Sequence, residues 1–247
     1  MGIHFGIEKT QLAVAIDGES GSGKTGLAVA LAQDYGLLCV PTGKMYRAVA
    51  VLTNRRGKPM ERSVDAAIEV AQTVKFEYSN GHMVADGEIL SDEELGTKEV
   101  GNSVSYFAKI DAVRTALVPI QRSIACSRPS VTEGRDITSV VLPDADLKLY
   151  VQAKVENRAS WRHAELPDTE KRRRDLKDVQ RELEERDTAD KNRDLAPLIR
   201  VLDAEVINSD EYASAEAVRQ GAQKLMDEVC ASFGIASVRV GYYKSRS

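Results

Sequence analysis

Cysteine is scarce in this chain of 247 residues: Cys39, Cys126 and Cys230 are an odd number, widely spaced, with no C-x-x-C pair. That pattern argues against a disulfide framework and against a zinc ribbon, and the three are expected to be reduced, buried thiols. Histidine is as sparse, and His4, His82 and His163 share no metal-ligand spacing, so each reads as a solvated side chain. No apolar run approaches the roughly 20 residues of a membrane-spanning helix. The start Met1 to Gly6 lacks an apolar signal core, and Gly6 stands where a myristoylation motif needs Ser or Thr. Cationic excess is missing too: a net charge of −4 gives no general attraction to nucleic acid or to an anionic membrane, and neither is expected as a partner. There are no internal repeats, no low-complexity segments and no Asn-Lys-x-Asp guanine-reading motif. What is left is the profile of an ordinary cytoplasmic protein, 43% hydrophobic and 29% charged, long enough to bury a full core in one α/β domain with insertions.

Against these absences one feature stands out. Gly18-Glu19-Ser20-Gly21-Ser22-Gly23-Lys24-Thr25 fits G-x-x-x-x-G-K-[ST], directly after the apolar run Leu12 to Ile16 and before the helix-like Leu27 to Ala32. A strand entering a glycine-rich turn and then a helix aims backbone N–H groups and a helix N-terminus at one spot, which suits a polyphosphate. Lys24 would reach the β- and γ-phosphates and the Thr25 hydroxyl would ligate Mg²⁺. The chain is expected to bind a nucleoside triphosphate, with Gly26 completing the loop segment.

Short apolar runs alternate with helical periodicity along the rest of the chain. Strands are predicted near Leu12 to Ile16, Leu37 to Val40, Ser130 to Glu133, Leu147 to Gln152 and Val206 to Ser209, which implies a parallel sheet covered by helices on both faces. One region breaks the rhythm. After a helix carrying Val64, Ala67, Ile68, Ala71 and Val74 come Lys75 to Ser79, His82 to Val84 and Glu88 to Leu90, separated by Asn80-Gly81 and Asp86-Gly87. Those dipeptides favour tight type I′ turns, so a small antiparallel meander is predicted, serving either as a structural flap or as a cover over a second substrate.

From Lys154 to Arg193 the chain is dense in charge of both signs, the pattern of exposed helices laced with i,i+4 pairs. Two subsets are more pointed: Arg158 and Arg162 share a helix face, and Arg186, Asp190 and Arg193 fall at i, i+4 and i+7 on another. Guanidinium groups grip phosphate in a bidentate way, and a transferring phosphoryl group needs several cationic donors, so these four arginines are expected to contact phosphate.

Taken in order, Ile16-Asp17-Gly18 of the loop, Thr42-Gly43-Lys44-Met45-Tyr46-Arg47, Glu99-Val100-Gly101-Asn102 leading to Ser105, Val113-Arg114 with Gln121-Arg122, Gly134-Arg135-Asp136, Pro143-Asp144-Ala145, and Glu185-Arg186-Asp187 with Asn192-Arg193 resemble the bacterial cytidylate kinases, in their longer form. The likeness runs from about Ala13 to the final helix. It implies a single P-loop kinase domain over residues 1–247: a five-stranded parallel core (10–57, 105–154 and 194–235), a nucleoside-monophosphate-binding insert (58–104) and a helical lid (155–193). It further implies Mg²⁺-dependent transfer of the ATP γ-phosphoryl group to CMP or dCMP in a monomer. Lys24, Arg158, Arg162 and Arg193 would act on the transferring group. The acceptor site would comprise Thr42, Arg47, Ser105, Arg114, Arg135, Asp136, Arg186, Asp190 and Arg193, with Arg114, Asp136 and Ser105 reading the base and Arg186 with Asp190 the sugar. Cytosine offers an amino donor beside acceptor atoms, which an acidic acceptor next to a cationic donor complements, whereas uracil would leave Asp136 facing an oxygen.

The match has departures. Lys24-Thr25-Gly26 replaces an order with Gly between the lysine and the hydroxyl residue, Pro41 stands for an Asp, Thr138 for a Gly, and Glu133 for an Asp within reach of a metal through water. Pro41 brings neither N–H nor carboxylate, so monophosphate affinity is expected to shift. Two rival functions follow from the same residues: a kinase of another small acceptor, such as UMP or a non-nucleotide alcohol, and a nucleotide-gated binding protein.

Overall fold

A computed structural model describes residues 12–56, 63–79, 81–166 and 168–232, without the side chains of Asn102 and Ser105. The remainder, including His4, Asn80, the outer bounds of the expected insert and core, and the tail Gly241 to Ser247, lies outside the described residues.

The central sheet begins with β1 (Ala13–Gly18), every residue of which is buried, as a strand covered on both faces must be. It leads through the glycine-rich loop into α1 (Lys24–Tyr35), β2 (Leu38–Pro41) and α2 (Thr42–Arg55). Next come α3 (Val64–Thr73), the strands β3 (Phe76–Ser79), β4 (His82–Ala85) and β5 (Glu88–Leu90), then α4 (Asp92–Leu95), α5 (Lys98–Phe107) and α6 (Asp111–Ala125). The chain returns to the sheet as β6 (Ser130–Gly134), makes a π-helical turn at Ile137–Val141 and adds β7 (Leu147–Gln152). Three helices follow, α7 (Val155–Ala164), α8 (Asp168–Lys171) and α9 (Leu176–Lys191), before β8 (Glu205–Asn208) and α10 (Ala215–Ser232).

The five sheet strands are all parallel and run in the order β2-β6-β1-β7-β8, with Asp17 opposite Gly134 on one side and Tyr150 on the other. The chain leaves β1 to one side and later returns to the other, so the crevice at its carboxyl end is the topological switch point where open α/β sheets bind ligands. The expected strands are all present, displaced by two residues at most. β1 runs on to Gly18 because the loop's first glycine still pairs with Val151 of β7.

The predicted meander is also there, β3-β4-β5 antiparallel, with Asp86 at φ 49° and Gly87 at φ 82°, the left-handed pair of a type I′ turn. Its apolar face does not form a core of its own. Phe76, Met83 and Leu90 join Met45 and Val49 of α2, Val70 of α3, Phe107 of α5 and Leu117 of α6 in one buried cluster. Side chains of that size are worth about 1.5–3 kcal/mol each when fully buried, so the insert is welded to the helix that carries the acceptor-side residues. Of the thiols only Cys230 is buried. Cys39 and Cys126 are half-buried, because β2 lies at the sheet edge and Cys126 caps the end of α6.

Candidate active site

The glycine-rich loop after β1, the start of α2 after β2, and Arg135 with Asp136 after β6 all lie at the carboxyl edge of the parallel sheet. The loop between β1 and α1 is shaped by glycine where nothing else fits: Gly21 and Gly23 hold φ of 74° and 89°, and a Cβ on Gly18 would run into the carbonyl oxygen of Val151. Gly23 caps α1, so the first amides of that helix open toward the loop. Gly26 has open space around its Cα on α1 and imposes no such demand.

Lys24 is 6% exposed and rests on the Glu19 carbonyl oxygen at 3.0 Å. Burial, reinforced by the nearby Arg135, pulls its ammonium down to about 7 from the ordinary 10.5. A lysine held that way gains charge when an anion arrives. Thr25 Oγ1 donates to Glu133 Oε1 at 3.0 Å, so the hydroxyl at the head of α1 and the carboxylate at the end of β6 share one spot. Beneath them Asp17 accepts from the amides of Ile137 and Thr138 at 2.9 and 2.8 Å and from Thr138 Oγ1 at 2.6 Å. Burial pushes Asp17 up to about 6, opposed by those hydrogen bonds. Thr138, a departure in the sequence, thus supplies a hydroxyl that a glycine could not.

α2, which carries Thr42 and Arg47, begins immediately after β2. Thr42 Oγ1 donates to the Glu133 carbonyl oxygen at 2.9 Å, packed so closely that a Cβ on Gly134 would stand 2.6 Å from it. Arg47 Nη1 donates to the Leu95 carbonyl oxygen at 2.7 Å, and burial together with Arg162 lowers its affinity for its proton. Pro41 has no N–H, yet its carbonyl oxygen accepts from the buried Tyr78 hydroxyl of β3 at 2.7 Å, which ties the meander to the start of α2.

Deeper in, the Arg114 guanidinium pairs with the Asp136 carboxylate, both nearly sealed from solvent. Arg114 Nη1 also donates to the Tyr46 hydroxyl at 3.3 Å. Arg135, the neighbour in sequence, turns elsewhere and donates to Asp190 Oδ2 at 2.8 Å. The two consecutive side chains, on the bend between β6 and the π-helical turn, thus go to different partners. The Ser105 side chain lies outside the described residues.

The lid arginines part company. Arg162 is 55% exposed and pairs with Glu165 at 3.3 Å. Arg158 is buried and fully engaged, by the carbonyl oxygens of Ala153 and Ser20 at 2.8 Å each and by Asp187 at 2.5 Å. On α9, Arg186 makes no hydrogen bond among the described residues although its Nε is buried, and burial with Arg135 nearby lowers it to about 10. Arg193 reaches Asp190 through Nη2 only at 3.5 Å, and that nitrogen has no hydrogen-bond partner among the described residues. Buried guanidinium nitrogens left open on the side of Lys24 are what an anionic ligand would satisfy.

Asp187 and Tyr46 take part in this arrangement without having been singled out from the sequence. Asp187 had a legible signal: on α9 it continues the buried stripe Val179, Leu183, where an apolar residue would be expected. Tyr46 had none, since a tyrosine on the apolar face of α2 reads as core.

A glycine loop on a helix N-terminus, a depressed lysine, a hydroxyl–carboxylate pair and further arginines facing the same crevice define a P-loop phosphotransferase. The chain belongs to the cytidylate kinase family: the family model described as Cytidylate kinase matches residues 14–227. It is 36% identical over 217 residues to the cytidylate kinase of Fervidobacterium nodosum, covering 87% of this chain and 95% of that one. It is 38% identical over 217 residues to that of Thermotoga neapolitana, covering 87% and 96%. Among solved structures, TT1252 from Thermus thermophilus aligns over 87% of this chain and 96% of its own at 15% identity with a TM-score of 0.44. The protein is therefore an enzyme, and the binding-protein alternative falls away. No helix among the described residues is long and apolar enough to cross a membrane.

Proposed function

We propose that this enzyme transfers the γ-phosphoryl group of ATP to CMP or dCMP by in-line displacement, with no covalent enzyme intermediate. The observation that carries the choice of base is the buried Arg114–Asp136 pair backed by Tyr46. A carboxylate accepts from the exocyclic amino group of cytosine while the guanidinium donates to its ring acceptors, and uracil satisfies only half of that set.

In this reading the loop from Gly18 to Thr25 holds the ATP phosphates, and Lys24 regains its full charge as the phosphates approach. Arg47, Arg186 and Arg193 grip the acceptor phosphate and close their open donors on it. Arg162, exposed and paired with Glu165 at the surface, swings in from α7 as the lid closes, where a positive donor stabilises charge on the transferring group. Asp190, held by Arg135, presents its carboxylate to the sugar.

A divalent cation fits beside this loop. Thr25 Oγ1 and Glu133 Oε1 are two oxygen donors 3.0 Å apart, and Mg²⁺ characteristically takes one or two protein oxygens with the rest from phosphates and water. When bound it neutralises charge on the phosphates. Thr25 would hold it directly, with Glu133 through water. A cytoplasmic monomer acting on small nucleotides, without nucleic acid or membrane, completes the reading.

The test is a panel of nucleoside monophosphates incubated with ATP and Mg²⁺, with diphosphates separated and counted. CMP and dCMP should be converted at least tenfold more efficiently than UMP, because a buried partner left unpaired penalises the wrong base. Equal conversion of UMP, or conversion of no pyrimidine, would overturn the proposal.

A further inference from the structure

Ser20 belongs to the donor loop, yet all three of its polar atoms are held from outside it. Its N–H donates to Asp187 Oδ1 at 2.8 Å, its carbonyl oxygen accepts from Arg158 Nη1 at 2.8 Å, and its hydroxyl oxygen accepts from Arg135 Nη2 at 2.9 Å. Arg158 and Asp187 are joined to one another at 2.5 Å. Ser20, Arg158 and Asp187 are 2%, 4% and 5% exposed, so the bonds among these three are shielded from water.

This is an unusual use of a phosphate-binding loop. Its amides normally aim at the anion, whereas the Ser20 amide is committed to a carboxylate. A carboxylate beside a polyphosphate site costs electrostatic energy, and Arg158 is the charge that offsets it. Buried ion pairs contribute little net stability compared with apolar packing, and their best-attested use is to specify one arrangement. Here the arrangement specified is the position of Ser20 relative to α9. Asp187 is the residue after Arg186 on that helix, and Asp190 of the same helix holds Arg135, the third partner of Ser20.

We propose that Asp187 is a positioning residue that locks the donor loop to α9, so that the loop and the helix bearing Arg186 and Asp190 move as one unit. Donor and acceptor binding are then coupled mechanically: ordering either side through its phosphates orders the other. Arg158 serves as a strut of this lock. The inference rests on the phosphoryl-transfer reading.

The experiment uses the full chain, Asp187→Asn and Asp187→Ala. Asparagine keeps an acceptor for the Ser20 amide and loses the charge facing Arg158, and it carries the test if the alanine variant does not fold. In the wild type a non-hydrolysable ATP analogue should tighten CMP binding by about fivefold or more, read by calorimetry. In Asp187→Asn that tightening should vanish and kcat for CMP should fall about tenfold, with a larger fall in Asp187→Ala. A structural role alone would lower the melting temperature and leave kcat and the tightening in place. Wild-type kcat in both variants, a fall in kcat with the tightening intact, or no tightening in the wild type overturns the lock. A wild type that phosphorylates no monophosphate overturns the functional reading first, and the lock with it.

Discussion

Two sets of arginines meet at this site, and they are completed to different degrees. Arg114 has its carboxylate and a phenol, Asp136 and Tyr46, and needs nothing further to be stable. Arg186 and Arg193 carry buried nitrogens with no hydrogen-bond partner among the described residues. A saturated pair is a rigid template: it accepts a ligand that matches its edge and does not reorganise, which is how selectivity between similar bases is obtained. An unsaturated cation is a stored demand for negative charge, released when a phosphate enters. The first set should therefore govern which nucleotide reacts, and the second how fast any nucleotide reacts.

The largest effect should come from the cationic side. Lys24→Ala is expected to leave a folded protein whose turnover is lower by about three orders of magnitude, because the loop loses its one ammonium at the transferring group. Circular dichroism together with a coupled ADP assay checks this, and near-normal turnover would remove Lys24 from the reaction. Next in size, Arg193→Ala or Arg186→Ala should lower kcat/KM by about a hundredfold, and by the same factor for CMP and for UMP. A loss confined to CMP would place these arginines with the base readers and dissolve the comparison.

The completed pair should behave in the opposite way. Arg114→Ala and Asp136→Asn are each expected to cost about 1–3 kcal/mol in kcat/KM for CMP while costing UMP less, so that the two substrates converge. Parallel losses on both substrates would mean that the pair holds the fold and does not read the base. The smallest effect is a proton. Lys24 sits near 7 without a ligand, so at pH 8 it is mostly neutral, and phosphate binding should restore its charge by taking up close to one proton. At pH 6 it is already charged and the uptake should be nil. Calorimetric titration of a non-hydrolysable ATP analogue in buffers of different ionisation enthalpy measures this, and Lys24→Met should abolish it. Uptake that persists in that variant would assign the proton to another group.

The same pH dependence bears on stability with a definite sign. Because Lys24 is lower in the folded chain than its ordinary 10.5, its contribution to stability rises with pH between about 7 and 10.5. Asp17, raised to about 6 from 3.8, stabilises fully below 3.8, and its contribution is lost as pH climbs through 6.

How much of this was legible in the sequence depended on whether the chemistry is carried by neighbours along the chain. The donor loop, the five strands and the I′ turn at Asp86-Gly87 are local: strand, glycine and helix signals sit within a dozen residues of one another, and backbone sterics allow those residues few alternatives. That Arg114 and Asp136 share the base site was expected from family likeness, whereas their pairing with each other and their burial with Tyr46 came only with the packing of α6 against α2 and β6. The two lid arginines are the clearest case of the opposite kind. Four residues apart on one helix, Arg158 and Arg162 look equivalent by periodicity. One is sealed against the loop and the other stands in solvent, because Asp187 of α9 and the Ser20 carbonyl oxygen hold Arg158, whereas Arg162 pairs with Glu165 at the surface.

The sequence by itself determined the nucleotide loop and the parallel α/β core, since each rests on contiguous residues whose spacing constrains the backbone, and its ordered motifs carried the family likeness. Only the tertiary structure decided which charges are satisfied. Satisfaction depends on partners more than a hundred residues distant, as in Ser20 with Asp187 or Thr25 with Glu133. Hydrogen bonds act over about 3 Å, and no periodicity along the chain encodes a distance between helices that meet only when the core closes.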